Sequence, residues 1–227
     1  VAEDPRLTDT ARLTARLRSE ILSGAVAPGS KLKLEPLARR YASSRGPLRE
    51  AASRLAAEGL VRIHDRRGFQ VAPISRVDLL TLTETRRRIE VWALRDSIAQ
   101  GDLAWEGRVL ASHHVLEGST EHDGSEPALR HYAEEHRRFH DVLVSACPSP
   151  YLLEFRERLF ALSERYRNLA RARRPGGPRR DVAGEHRAIA EAAVARDADR
   201  AADALATHLE GTARVLIDAY PALFGAE

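Results

Sequence analysis

LEPLARRYASSRGPLREAASRLAAEGLV, residues 34–61, is the stretch whose spacing decides the fold. Leu34, Leu37, Ala38 and Tyr41 fall at i, i+3, i+4, i+7, one face of a short helix. Ala42, Ser43 and Ser44 make a three-residue turn. Ser44 is placed to cap a second helix, with Pro47 tolerated in its first turn. Leu48, Ala51, Ala52 and Leu55 repeat the helical spacing, and Gly59 is placed to end it. Two helices joined so tightly form a helix-turn-helix, whose second helix enters the DNA major groove. The face left over carries Arg45, Arg49 and Ser53. Arginine suits that face because its planar fork matches O6 and N7 of guanine.

The flanking residues extend this reading. Val61–His64 is predicted as a strand, Asp65–Gly68 as a turn and Phe69–Ala72 as the returning strand. The result is a wing with Arg66 and Arg67 at its tip, where a neighbouring phosphate would lie. An ordinary helical hairpin with solvated arginines is the alternative, but the order of helix, turn, helix and basic wing favours DNA. Upstream, Leu13, Leu17 and Ile21 line a first helix that Ser23-Gly24 ends. Pro28-Gly29 turns the chain into a short apolar pair around Lys31-Leu32.

Charge follows the same division. The 227-residue chain carries a formal +3, but residues 1–75 hold a net +6 and residues 76–227 a net −3. The basic part is the one with the DNA-binding pattern, as attraction to phosphate requires. Two domains are expected, 1–75 and 76–227, with Pro73-Ile74-Ser75 as linker. Cys147 is the only cysteine, so no intrachain disulfide forms, and it is expected to be a packed thiol. With no signal peptide and no apolar run of membrane-spanning length, a cytoplasmic protein without membrane attachment is expected.

From Arg76 onward every signal is helical, with helices expected near 76–100, 102–118, 127–146, 149–171, 179–195 and 197–219. Gly101, the polar run 118–126, Pro148 to Pro150 and Pro175 to Pro178 separate them. The fold class is therefore mainly α: a winged helix-turn-helix with a small β wing, then an all-α bundle. The basic stretch 171–180 is expected to be an exposed connector, since it has no aromatic residue to stack bases.

Histidines occupy the inward stripes of this bundle. One helix runs Leu129, Tyr132, Ala133, His136, His140, Leu143, Cys147; the next Val182, His186, Ile189, Ala193; the last Ala201, Leu205, His208, Thr212, Val215. Singly, each imidazole reads as a hydrogen-bonded core residue. Together, with one pair at i, i+4, they read as a transition-metal site built from facing helices. His113 or His114 could also reach inward, because that helix has an ambiguous phase; His64, His122 and His131 read as exposed. Leu79, Leu82, Arg86, Ile89 and Ala93 place Arg86 on another buried stripe, and a buried Arg needs an anion. Glu90, one turn on, and an effector carboxylate are both open as that anion.

PGSKL (28–32), the 34–61 stretch and RRGFQVAPIS (66–75) together resemble the winged-helix domain of the GntR family of bacterial transcription regulators. The family usually reads Ser-Arg-Thr-Pro-Val-Arg-Glu-Ala-Leu where this chain has Ser44 to Ala52. The resemblance implies that Ser44, Arg45, Gly46, Pro47 and Arg49, with Arg66, Arg67 and Gly68 of the wing, meet DNA. Gly46 replaces a Thr that typically touches DNA, Lys33 stands where a polar cap is common, and Glu35 replaces a common Arg. HRRFHDVLVSA (136–146), EHRAIAEAAVARDADRAADALATHL (185–209) and ETRRRIE (84–90) resemble the FCD effector-binding domain of the FadR subgroup. That implies a divalent metal held by His140, His186 and His208, with His136 where the family usually has Asp. It also implies that Arg86 faces the effector pocket. An all-imidazole set suits zinc, with nickel or copper next, rather than magnesium or calcium.

The expectation is a homodimeric, ligand-responsive regulator, a repressor rather than an activator. It would bind a palindromic operator and sense a small carboxylate effector through its metal and Arg86. The competing class is a metal-dependent hydrolase or oxygenase fused to a DNA-binding module, with Glu185 as the nearest general base. A third is a structural bundle with satisfied core histidines.

Overall fold

The computed structural model describes residues 8–65, 68–119, 125–171 and 180–224. Its elements are α1 (Asp9–Ser23), β1 (Lys31–Leu32), α2 (Leu34–Arg40), α3 (Arg45–Ala57), β2 (Val61–His64), β3 (Gly68–Val71), α4 (Arg76–Gln100), α5 (Leu103–Gly118), α6 (Glu126–Leu143), α7 (Pro150–Arg171), α8 (Val182–Val194) and α9 (Ala198–Ala219). They fall into two compact units. One comprises residues 1–82, 160–176 and 216–227; the other 83–159 and 177–215. α4, α7 and α9 contribute residues to both.

In the first unit the apolar stripes read from the sequence meet in one core. Leu13, Leu17 and Ile21 of α1 pack with Leu37, Tyr41, Leu48, Ala51, Ala52 and Leu55 of the helix-turn-helix, and with Leu32, Val61, Phe69 and Val71 of the sheet. α3 ends as expected: Gly59 is in the left-handed region (φ 84°). The Gly59 N–H donates to Ala56 O and the Leu60 N–H to Leu55 O, so the last carbonyls are satisfied. Ser44 occupies the N-cap of α3 with extended backbone, but its side chain makes no capping hydrogen bond. Pro47, at the third helical position, has no N–H to offer, which removes one of the cap's two usual donors. The turn is held instead by Ser43, whose hydroxyl donates to Asp9 of α1 at 2.8 Å.

The wing is a three-stranded antiparallel sheet in the order β1-β3-β2. β2 and β3 pair Val61 with Val71 and His64 with Gly68, and β1 adds Lys31 opposite Gln70. Gln70 locks this register, donating to Gly29 O at 2.7 Å and meeting His64 Nε2 at 2.7 Å. The second half of α7 also belongs to this unit. Its buried Arg165 donates to the Ala72 carbonyl, Tyr166 donates to Asp78, and Asn168 donates to Leu22 O.

In the second unit, Trp105, Val109 and Leu116 of α5, Phe139 and Leu143 of α6, Ile189 and Ala193 of α8, and Ala201 and Leu205 of α9 form the core. Capping sets the helix starts. Asp102 accepts from Trp105 N, Ser125 from Ala128 N and Asp181 from Gly184 N. α6 stops at Leu143, three residues short of the expected 146. Residues 144–146 form a turn instead, with the Ser145 N–H donating to Val142 O and the Cys147 N–H to Val144 O. Cys147 is buried as expected, its thiol 3.8 Å from Asp96.

Candidate functional site

The helical unit brings His136 and His140 of α6, His186 of α8 and His208 of α9 into one buried cluster. Ring centroids lie 4.6 Å apart for His136–His140 and for His186–His208, and 5.2 Å for His140–His208. The widest pair, His136–His208, is at 6.2 Å. One ring nitrogen from each lies within 4.8 Å of the other three. Phe139, a fully buried residue that the stripe reading passed over, meets His140 and His186 edge-on at 5.5 and 5.4 Å and closes one wall.

The donor set fits a borderline transition metal. Nitrogens about 2.0–2.1 Å from one zinc ion stand roughly 3.4 Å from each other in a tetrahedron. Side-chain movements of under about 1 Å would bring this cluster to that size.

Glu185 supplies the support that ligating imidazoles use. Its Oε2 is 2.9 Å from His208 Nδ1. With Nδ1–H donating to the carboxylate, Nε2 of His208 keeps its lone pair. Arg180 fixes Glu185 in turn: its Nε donates to Oε1 at 2.6 Å, and its Nη2 donates to the His208 carbonyl at 2.6 Å. Burial works to raise the Glu185 carboxyl, but the hydrogen bonds from His208 and Arg180 outweigh it and hold it below the ordinary value. Glu185 is thus committed to orienting a histidine.

A cationic pair is buried in the same unit. Arg86 Nε donates to Glu90 Oε1 at 2.7 Å, so Glu90 is the anion the α4 stripe required. Arg156 of α7 shares that carboxylate, its Nε 3.8 Å from Glu90 Oε2, and donates to Asp141. Both guanidiniums are almost fully buried. Arg156 was missed by the sequence reading, although Leu152, Arg156 and Phe160 at i, i+4, i+8 carry the same signal as the Arg86 stripe.

The other candidates are placed as follows. His113 is half-buried against Phe139 (5.7 Å between centroids) and His114 is exposed, so neither joins the cluster. The inward face of α5 is Trp105, Val109, Ser112 and Leu116. His64 and His131 are exposed as expected; His122 lies outside the described residues. In the winged-helix unit Ser44, Arg45, Gly46, Arg49 and Ser53 are all exposed, and Pro47 is half-buried. Arg45 pairs with Glu35 at 2.5 Å. Gly68 opens β3 with φ 84°, while Arg66 and Arg67 lie outside the described residues.

Comparison with known proteins agrees with this geometry. The family model described as "Bacterial regulatory proteins, gntR family" matches residues 9–71, and that described as "FCD domain" matches residues 81–211. The chain is 39% identical over 203 residues to the HTH-type transcriptional regulator BphR of Paraburkholderia xenovorans, covering 88% of this chain and 82% of that protein. It is 38% identical over 195 residues to the HTH-type transcriptional repressor GlaR of Escherichia coli, covering 85% and 89%. Among solved structures, E. coli McbR/YncC shares the fold with a TM-score of 0.76 at 18% identity, covering 94% and 99%.

The cluster makes stability depend on pH. Burial, and after it the neighbouring His136, His208, His186 and Arg156, hold the His140 imidazole well below its ordinary 6.5. Below 6.5 the unfolded chain therefore binds a proton that the folded chain refuses. Stability is full above 6.5 and falls on acidification, by up to about 1.4 kcal/mol per pH unit from this residue. Chelator-treated protein should show a melting temperature that falls from pH 7 to pH 5, and His140→Gln should flatten that slope. A midpoint independent of pH in this window would contradict the account.

Proposed function

The chain belongs to the GntR family of bacterial regulatory proteins, with an FCD domain behind its helix-turn-helix, and from this premise we propose that it is a metal-containing repressor responsive to a small organic acid. It is a DNA-binding transcription regulator of GntR/FCD type and not an enzyme, like its relatives BphR and GlaR. GlaR is named a repressor, which favours repression over activation here. The proposed functional boundary is 75/76; the matches to residues 9–71 and 81–211 support it in lying on either side. Among the described residues no helix is long and apolar enough to cross a membrane, in keeping with action on DNA in the cytoplasm.

The observation that carries the sensor reading is the buried cluster of four imidazoles in the same unit as two buried arginines. His140, His186 and His208 would hold a divalent ion, zinc or else nickel, with His136 as fourth ligand. The bound ion would supply a Lewis-acidic position for an effector carboxylate. The charge on Arg156 is felt at His140, and Arg156 and Arg86, which now share Glu90, would turn in part from that carboxylate to meet an effector anion. In the DNA-binding unit Arg45 and Arg49 would read base edges from α3, and Ser44, Gly46 and Pro47 would lie against the backbone. Arg66, Arg67 and Gly68 of the wing would take phosphates. Effector binding would favour the arrangement in which two recognition helices no longer match successive major grooves of a palindrome.

That reading requires two copies. Trp92 of α4 and Tyr151 and Phe155 of α7 are large apolar side chains exposed on the helical unit. Such residues are what a second copy would cover. Light scattering should give the mass of a dimer at micromolar concentration, and a monomer there would overturn the palindrome reading.

Arg49→Ala should lose about 1–3 kcal/mol on a selected operator duplex and far less on a scrambled one. Equal losses in gel-shift titrations would exclude base reading by Arg49. In the sensor, His208→Ala should lose bound metal and lower the melting temperature, because an ion that binds only the folded state stabilises it. His136→Asp should keep the metal. DNA binding by His208→Ala should persist while release by a panel of small mono- and dicarboxylates fails. Unchanged metal content in His208→Ala, or normal release from metal-free protein, would sink the sensor reading.

A further inference from the structure

Arg45 and Arg49 stand one turn apart on the exposed face of α3, yet their surroundings differ. Arg45 Nη2 lies 2.5 Å from Glu35 Oε2, in the first turn of α2. The other oxygen of Glu35 is 3.5 Å from Arg39. Arg49, by contrast, has no ion-pair partner among the described residues. The Arg45–Glu35 pair is exposed, 66% and 57%, so it adds little to folding stability. Its effect is on direction. A guanidinium has five N–H donors, and the bidentate grip on guanine uses two. Three remain, one of which can serve Glu35, so the ion pair and guanine recognition are compatible. Contact between Arg45 and a phosphate is disfavoured, because it sets a second full negative charge beside the Glu35 carboxylate, whereas guanine is neutral. Glu35 therefore opposes backbone-only binding at every sequence and leaves base readout intact.

We propose that Glu35 is a specificity-determining residue, which holds Arg45 for base readout and withholds it from the phosphate backbone. This rests on α3 being the base-reading helix, as proposed above.

The test uses the full-length protein. Wild type first selects a duplex from a random pool. Variants are then titrated on that duplex and on a scrambled one across a range of salt. Glu35→Gln should tighten binding to the scrambled duplex and barely change the selected one, so their affinity ratio falls about five- to tenfold. On scrambled DNA the slope of log affinity against log salt should steepen by about one, as Arg45 engages a phosphate. In an Arg45→Ala background, Glu35→Gln should change both duplexes by the same factor. Equal tightening on both duplexes with Arg45 present would reduce Glu35 to a bare repulsive charge and overturn the proposal, as would no change on either. Failure of the underlying reading looks different: Arg45→Ala alone would then leave the wild-type ratio intact.

Discussion

Keeping four imidazoles and two guanidinium groups away from water is the constraint around which the helical unit is built. An uncompensated charge in a protein interior costs several kcal/mol, so each buried ionisable group must be paired or held neutral. Arg86 and Arg156 meet the condition by sharing Glu90. His140 meets it by remaining neutral, its pKa driven down by burial and by its neighbours. His208 meets it through Glu185, which Arg180 orients in turn. Apolar packing makes the arrangement possible: Phe139, Ile189 and Leu205 fix α6, α8 and α9 closely enough for three polar stripes to converge. A core of this composition is poorly suited to stability alone, since well-packed apolar residues of similar volume would serve as well. That physical cost is the strongest reason to treat the cluster as functional.

The winged-helix unit follows the opposite logic. Its charges stay on the surface apart from Arg165, which is buried against the Ala72 carbonyl, and the cluster packed around the helix-turn-helix is aliphatic apart from Tyr41 and Phe69. Packing one face of α3 against α1 and α2 leaves the other face exposed, with Arg45, Arg49 and Ser53 on it. Rigid placement would serve the proposed base readout, because recognition by arginine depends on the direction of a planar group. Ser43 to Asp9 and Gln70 to Gly29 fix the turn and the wing through side chain contacts that periodicity does not reveal.

Much was legible in the chain because helical periodicity is a local property. The stripes at i, i+3, i+4, i+7 located the helix-turn-helix, and the Gly and Pro punctuation located the helices that follow. The inward phase of α6, α8 and α9 put the four histidines on buried stripes before their mutual distances were known. α5 was harder: its apolar residues surround it too evenly for one phase to stand out, and His113 and His114 were assigned only when its packing placed Ser112 and Leu116 inward. The α6 terminus was overestimated because the apolar pattern continues through Val144 and Cys147, although the chain there makes turn hydrogen bonds to Val142 O and Val144 O.

The sequence by itself therefore determined the order of elements, the exposed arginine face and the set of inward histidines, all consequences of spacing along one chain. Tertiary structure alone decided which side chains ten or more residues apart in sequence come within 4 Å: Glu35 with Arg45, Glu185 and Arg180 with His208, and Arg156 with Glu90. A one-dimensional pattern records which way a residue faces along its own helix. It does not record what the facing helix places opposite, because that depends on crossing angles and packing distances fixed only when the whole core forms.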